Sequence, residues 1–457
     1  VQGGFTVDVS TADGTATTAD SDYGAVTSQT LTFTGTTGET QTFTITPTAD
    51  NKLEADETFA ITQSNLTGTS LSADIDITDG ATGTITNDDI ASVTIADISA
   101  NENDGSITVT ATLDNPVQGG FSVDVSSADG TATIADSDYT AVTSETLTFV
   151  GTAGETQTFT VTLTSDTKLE ADETLTIVQS NLSATTLGVV ITDGATVTIN
   201  NDDSAAVTIE DISANEDDGV ITVTATLDNP VQGGFTVDVN TLDATATVAD
   251  SDYTAVIGQI LTFVGTAGET QTFTVTPTAD NKVEADEIVT IGMTTVDNTP
   301  SFDNISITDL GSITILNDDA TQVTFSGDIS AIESDGVANL IATLSNPVQG
   351  GFALNITTAD GTAIATSDYT SFADAAGATF IGTAGETQTI AIPITDDMIG
   401  ESTEDFTVTL SSVSGTNLGT SIDLSDTASI TIIDDDAPVI TMVSVPADGN
   451  YAIGDNL

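Results

Sequence analysis

Acidic side chains dominate whatever chemistry this chain can perform. Asp and Glu number 70 against 3 Lys and Arg together, giving 457 residues a formal charge of −67, and His and Cys are absent. The acids recur in short phrases. In one stretch Glu102 comes with Asp104 and Asp136 with Asp138; Asp166, Glu170, Asp172 and Glu173 follow, and Asp202 and Asp203 close the series. Carboxylates drawn together repel strongly unless a cation sits among them. Ca²⁺ takes about six to eight oxygen ligands, with carboxylates binding singly or in pairs, and suits such a set. Mg²⁺ is less apt because it demands a tight octahedron and keeps its waters, and zinc would want His or Cys.

The elements that must position these acids come from an internal repeat. Val-Gln-Gly-Gly-Phe begins at Val1, Val117, Val231 and Val348, at intervals of 116, 114 and 117 residues. Ser-Asp-Tyr begins at Ser21, Ser137, Ser251 and Ser367, and Gly-Glu-Thr-Gln at Gly38, Gly154, Gly268 and Gly385. Asn-Asp-Asp begins at Asn87, Asn201 and Asn317 and becomes Asp434-Asp435-Asp436 in the last copy. The period is that of a whole domain of about 100 residues. Within it, Ile107, Val109, Ala111 and Leu113 alternate with threonines, as do Phe159, Val161 and Leu163; period two marks half-buried strands. In the second repeat the pattern predicts seven strands, A to G, near 91–97, 105–114, 120–127, 145–150, 156–164, 173–180 and 189–200. That count indicates an all-β chain of seven-stranded immunoglobulin-like sandwiches.

Successive antiparallel strands alternate direction, so loops A–B, C–D and E–F share one pole with the end of G. Every dense acidic segment of the second repeat falls there. The other pole receives turn material: Asn115–Gly120, Gly151–Thr156 and Asp193-Gly194. A merely soluble or salt-adapted surface has no reason to favour one pole. Asp124, Asp193 and Glu155 read as ordinary surface or turn acids. The phase divides the chain into residues 1–89, without strands A and B, then 90–203, 204–319 and 320–436; residues 437–457 read as the start of a further module, and both ends as cut from a longer protein.

Composition excludes several partners. A chain this acidic repels nucleic acid, whose binding needs Lys and Arg, and an anionic membrane surface. No run approaches the roughly 18 apolar residues of a membrane span. Hydrophobic residues at 38% and charged ones at 16% do not describe a disordered chain. Without cysteine, metal is the available staple.

The phrases Asn101-Glu102-Asn103-Asp104-Gly105, Ala128–Ala132, Ser137-Asp138-Tyr139, Gly154-Glu155-Thr156, Asp166–Glu173 and Asn201-Asp202-Asp203 together resemble the Calx-beta repeat, known from regulatory domains of sodium–calcium exchangers and from large bacterial surface proteins. The resemblance runs from Val1 to Asp436. It implies a seven-stranded sandwich whose ligands are the acids of A–B, C–D, E–F and the end of G. The implied calcium ligands are Asp22, Asp50, Glu54, Glu57, Asp88 and Asp89 in the first repeat and Glu102, Asp138, Asp166, Glu170, Glu173, Asp202 and Asp203 in the second. They are Glu216, Asp252, Asp280, Glu284, Glu287, Asp318 and Asp319 in the third, and Glu333, Asp368, Asp396, Asp397, Glu401, Glu404, Asp435 and Asp436 in the fourth. The family's consecutive aspartates at the opening of E–F survive only as Asp396-Asp397; Ala49, Ser165 and Ala279 stand at one of those places, and Lys52, Lys168 and Lys282 lie inside the loop. Fewer ions or weaker sites are expected in those three repeats.

An enzyme would need an acid with a raised pKa in apolar surroundings, whereas these acids are expected in open polar loops, and a site repeated four times is an odd catalyst. A calcium sensor attached to a membrane transporter is the alternative to a structural role. Similar modules in series fit better as calcium-stiffened spacers, an extended rod within a giant secreted adhesin at the cell surface, of the kind found in bacteria including gliding species. Its partners are then calcium ions and neighbouring repeats, with the adhesion ligand open.

Overall fold

The computed structural model describes residues 1–298 and 304–437, so the segment read as a further module lies outside them apart from Ala437. Contacts gather the chain into two units, one built from Val1–Ala205 with Asn229–Gln232, the other mainly from the remaining described residues.

In the first unit the strands are β1 (Phe5–Asp13), β2 (Gln29–Phe33), β3 (Glu57–Thr67) and β4 (Ala81–Ile85), followed by β5 (Val93–Ile95), β6 (Ile98–Asn101), β7 (Ser106–Leu113), β8 (Phe121–Asp129), β9 (Tyr139–Thr140), β10 (Glu145–Phe149), β11 (Thr156–Leu163), β12 (Glu173–Ser183) and β13 (Ala195–Asn200). The second module is a sandwich of two sheets, β5-β7-β11-β9 and β10-β8-β12-β13-β6. Alternation does what it should: Ile107, Val109, Ala111 and Leu113 of β7 are buried, and so are Phe159, Val161 and Leu163 of β11. In register, Phe159 faces Val109 and Val161 faces Ile107. Val123, Val125, Leu175, Ile177 and Val197 close the core from the second sheet. Each such side chain fully removed from water contributes about 1.5–3 kcal/mol.

The structure departs from the seven-strand reading in three places, at the first strand, at the last strand and in an added β9. The expected strand A, 91–97, is realised as β5, which pairs with β7; the residues after it, expected as the A–B connection, form β6, which crosses to the other sheet and pairs in parallel with β13. Asp97 sits at the crossing, and its Oδ1 accepts the Thr196 amide at 2.7 Å. Asp211 and Asp328 do the same for Ser312 and Ser429 in the second unit. The last strand begins at Ala195, later than expected, and β9 is an addition. In the second unit the third and fourth modules repeat the plan, with Ile212–Asn215 beside Gly311–Leu316 and Ile329–Ile332 beside Thr427–Ile433, both parallel.

The recurrent phrases have physical reasons. Asp129 ends β8 and accepts the Tyr139 hydroxyl at 2.6 Å, with Tyr139 buried. A Cβ on Gly130 would lie 2.3 Å from the Thr174 carbonyl. Gly120 takes a φ of 66°, and a Cβ there would press on the Phe149 carbonyl at 2.6 Å, so the second glycine of Val-Gln-Gly-Gly is required. Phe121 then stacks on Phe149 with ring centroids 5.1 Å apart.

The first module is one four-stranded sheet, β2-β1-β3-β4. Residues 41–47, counterpart of β11, form no strand; their backbone pairs with the rest of the module where Pro47 bridges Tyr23, and Ile45 packs against the cluster of Ala16, Tyr23 and Phe59. Phe43 and Ile45 are half-buried, and Phe43 lies beside a groove of about 310 Å³ lined also by Val7, Leu31 and Ile61; among the described residues no strand of this module takes the place of β7. Residues 1–89 expressed alone are therefore expected to unfold over a broad, weakly cooperative range in urea, while 90–203 gives a sharp transition; a sharp transition for 1–89 would contradict this account.

Candidate functional site

Three local devices bring the acids of the second module together. Pairing of β6 with β13 ends at Asn101 opposite Asn200. The next residues on each strand are Glu102, opening a 3-10 turn closed by Gly105 at φ 72°, and Asn201-Asp202-Asp203. Parallel register thus delivers Glu102 to the end of the last strand. The C–D turn is tied by its own aspartate, Asp138, whose Oδ2 accepts the Thr133 amide at 2.6 Å. Asn201 clamps the E–F loop: its Oδ1 accepts the Glu170 amide at 3.0 Å, its Nδ2 donates to the Asp203 carbonyl at 3.1 Å, and its own amide donates to Asp172 Oδ1 at 3.0 Å. Asn87 and Asn317 repeat all three contacts.

The result is two adjoining groups of carboxylates. Asp138, Glu170 and Glu173 form one, and Glu102, Asp202 and Asp203 the other, each offering oxygens within 4.8 Å of one another. The third module repeats them as Asp252, Glu284 and Glu287 and as Glu216, Asp280 and Asp319. Asp166 faces Glu102 and Glu170, and Asp318 faces Glu216 and Asp319. The first module gathers Asp22, Glu54 and Glu57. Asp50, Asp88 and Asp89 line the same recess without an A–B glutamate to complete the second group. In the fourth module Glu404 faces Asp368 and Glu401, while Glu333 faces Asp397, Asp434 and Asp436. Asp396 and Asp435 face Asp436, and Asp435 also accepts the Ser334 hydroxyl.

Burial corrects one expectation. Glu102, Glu216 and Glu333 are not in open polar loops; they are 7%, 8% and 5% exposed, because the parallel first strand carries them inward. Desolvation, and then the adjacent Asp203, push Glu102 up to about 8, and desolvation with Asp319 does the same to Glu216. Desolvation and Asp138 raise Glu173 to about 7, and Glu404 is held near 7 by desolvation and Asp368. Glu155, by contrast, accepts the amides of Val150, Gly151 and Thr152 and stays below its ordinary value, as a turn acid should.

Sequence reasoning missed three contributors. Asn201 carries no role in the sequence reading, where only its fixed place before two aspartates signals a clamp. Lys168 was seen, but not its partner: its ammonium pairs with Glu170, as Lys52 does with Glu54 and Lys282 with Glu284. Asp434 was passed over for Asp435 and Asp436, although the change from Asn to Asp in the last repeat was the available signal; one of its oxygens is buried without a hydrogen-bond partner.

The donor set fits a hard divalent cation. One oxygen each of Glu102, Asp203, Glu216 and Asp319 is buried with no hydrogen-bond partner, which costs free energy unless something positive is nearby. Ca–O distances of about 2.3–2.6 Å place opposite ligands up to about 5 Å apart, a span the oxygens of each group can meet, whereas Mg²⁺ demands a tight octahedron at about 2.0–2.1 Å and keeps its waters. A proton is the alternative occupant. Because these glutamates have folded pKa values above their unfolded ones, the stability that protonation supplies is complete below about pH 4.5 and lost as pH rises through about 7–8. Metal-free protein is thus expected to melt at progressively lower temperature from about pH 5 to pH 8, and Ca²⁺ to flatten that dependence; a metal-free melting temperature that rises over this range would contradict the assignment.

The family model for the Calx-beta domain matches residues 1–97, 84–203, 200–319 and 316–436. Among solved structures, the crystal structure of CBD12 from CALX1.2 is similar at 17% identity, covering 49% of this chain and 99% of the other, with a TM-score of 0.23. That of calcium binding domain CBD12 of CALX1.1 is similar at 18% identity with the same coverage and score. The apo form of the Calx CBD1 domain is 24% identical over 25% of this chain and 100% of its own, with a TM-score of 0.22. No curated protein matches the chain. With its four matches spanning residues 1–436, this chain belongs to the Calx-beta domain family.

Proposed function

We propose that this chain binds Ca²⁺ in each module and serves as a non-catalytic, calcium-stiffened spacer of a large secreted cell-surface adhesin. The observation that carries the calcium reading is the pair of carboxylate groups at one pole of a module, with buried glutamate oxygens that nothing in the protein satisfies. In the second module Glu102, Asp202 and Asp203, with Asp166 beside them, would hold one ion, and Asp138, Glu170 and Glu173 another. The ion's part is to neutralise the pole and tie four loops together. The protein's part is to hold the oxygens in place through Asn201, Thr133 and the parallel strand pair. Family membership supports this reading.

The non-catalytic role is supported by what surrounds the raised glutamates: other carboxylates and the Asn clamp, repeated module after module. No helix among the described residues is long and apolar enough to cross a membrane. The spacer role rests on repetition and on short junctions. Asp203 is followed by a strand starting at Ala205, too short a joint to act as a flexible linker.

Adding Ca²⁺ to metal-free residues 90–436 is expected to raise the melting temperature, because a ligand bound only by the native state stabilises it. Midpoints on the order of 10⁻⁴ to 10⁻³ M would suit an extracellular module. Glu170→Gln with Glu173→Gln removes most of the gain in the second module alone, and equal melting curves in Ca²⁺ and chelator would sink the calcium reading. For the spacer role, small-angle scattering should show a narrower distribution of intramolecular distances in Ca²⁺ than in chelator; identical profiles would leave calcium binding intact and remove the stiffening.

A further inference from the structure

The Val-Gln-Gly-Gly phrase is more than a turn. Pro116, Val117 and Gln118, which open the second module's B–C turn, form a two-bond bridge with the E–F loop of the first: Leu53 N donates to the Pro116 carbonyl at 2.9 Å, and Gln118 N to the Leu53 carbonyl at 3.0 Å. Leu53, 5% exposed, is packed into the second module's core. The Gln118 side chain then reaches into the acidic pole, where its Nε2 donates to Glu57 Oε1 at 2.8 Å and its Oε1 accepts the Ala55 amide at 3.4 Å.

The arrangement recurs within the second unit. Val283 N donates to the Pro347 carbonyl at 2.9 Å, and Val283 is fully buried in the fourth module's core. Gln349 Nε2 donates to Glu287 Oε1 at 3.1 Å, and its Oε1 accepts the Ala285 amide at 3.4 Å. Residues Asn229–Gln232, which belong to the first unit, do the same against Leu169, with Gln232 Nε2 donating to Glu173 Oε1 at 3.3 Å. Three times, therefore, a glutamine borne by one repeat's turn orients a carboxylate of the repeat before it. Glu57, Glu173 and Glu287 are each members of the three-carboxylate group formed by the C–D and E–F loops.

We propose that the glutamine of each Val-Gln-Gly-Gly turn is a positioning residue for the calcium group of the preceding module, so that a module's affinity for Ca²⁺ is set in part by its successor. An amide N–H donated to the carboxylate fixes its rotation and offsets part of the repulsion from the two other acids of its group. The second contact, to a loop amide, fixes the glutamine itself. Partners of this kind, one step removed from the ion, commonly govern metal affinity. The proposal rests on the calcium reading above.

The test uses the full chain and hydrogen exchange, read peptide by peptide at stepped free Ca²⁺ concentrations. Gln349→Met keeps the length of the side chain and removes its donor. It is expected to raise the Ca²⁺ midpoint for protection of residues 280–287 about tenfold. The midpoint for residues 166–173 should stay in place, and so should the protection of the Val283 amide in chelator. If residues 280–287 of the unaltered chain gain no protection in Ca²⁺, the calcium reading fails and this proposal with it. Should they gain protection with the same midpoint in both chains, calcium binding stands and the positioning role is overturned. A shifted midpoint accompanied by lost Val283 protection in chelator would reduce Gln349 to a docking latch and overturn the positioning role as well.

Discussion

The constraint on which each of these modules depends is repulsion among carboxylates held at one end of a sandwich. Loops cannot relax away from it, because the strands that carry them are fixed by the core: Glu102 by β6 against β13, and Glu173 by the start of β12. What remains adjustable is how the charge is met. Three modules use an ammonium, pairing Lys52, Lys168 or Lys282 with a loop glutamate, and an Asn clamp that contributes dipoles without charge. The fourth has Ile399 where the lysine would be, Asp434 for the asparagine, and Asp396 where the others have alanine or serine. Thr366 and Thr403 stand where the second module has Asp136 and Asp172, so the net charge changes little, but its pole has no ammonium of its own to meet that charge. The array thus contains two grades of one site.

A small vocabulary of hydrogen bonds turns this electrostatic problem into a fold. Asp129 accepts from Tyr139 and Asp138 from a turn amide, so two acids nine residues apart have opposite duties: one pins the turn to the core and the other faces the pole. Glu155, spent on three turn amides, shows a third duty at the far end. Acidity as such assigns no role; what a carboxylate can accept from the protein decides whether any oxygen is left for an ion.

Much of this was legible in the sequence for a physical reason. Period-two alternation in Ile107–Leu113 and Phe159–Leu163 admits no other regular element, and strand parity then sorts loops to poles without knowledge of pairing. The crossing at Asp97 was not legible: strand A was expected to end near 97, and although the apolar residues change phase there, from Val93 and Ile95 to Ile98 and Ala100, only tertiary pairing reveals that Ile98–Asn101 serves the other sheet. Burial of Glu102 follows from that crossing and was missed with it. The amides of Asn201 and Gln118 escaped notice because neutral side chains in turn-rich phrases carry no signal until their partners are seen. The repeat itself hid Asp434: an alignment of phases invites reading the fourth copy as the others are read.

The crossing of the first strand has one more consequence. In the second to fourth modules the second strand after entry, such as Ile98–Asn101, lies parallel to the last before exit, such as Ala195–Asn200. Tension on the two ends of a module pulls such neighbours past one another along their length, so their hydrogen bonds bear load together in shear, whereas a hairpin pulled from its open end yields one bond at a time. The acidic pole lies immediately beyond this pair, at Glu102 and Asp202. A cation bound there would tie the ends of the two load-bearing strands at the place where sliding must begin.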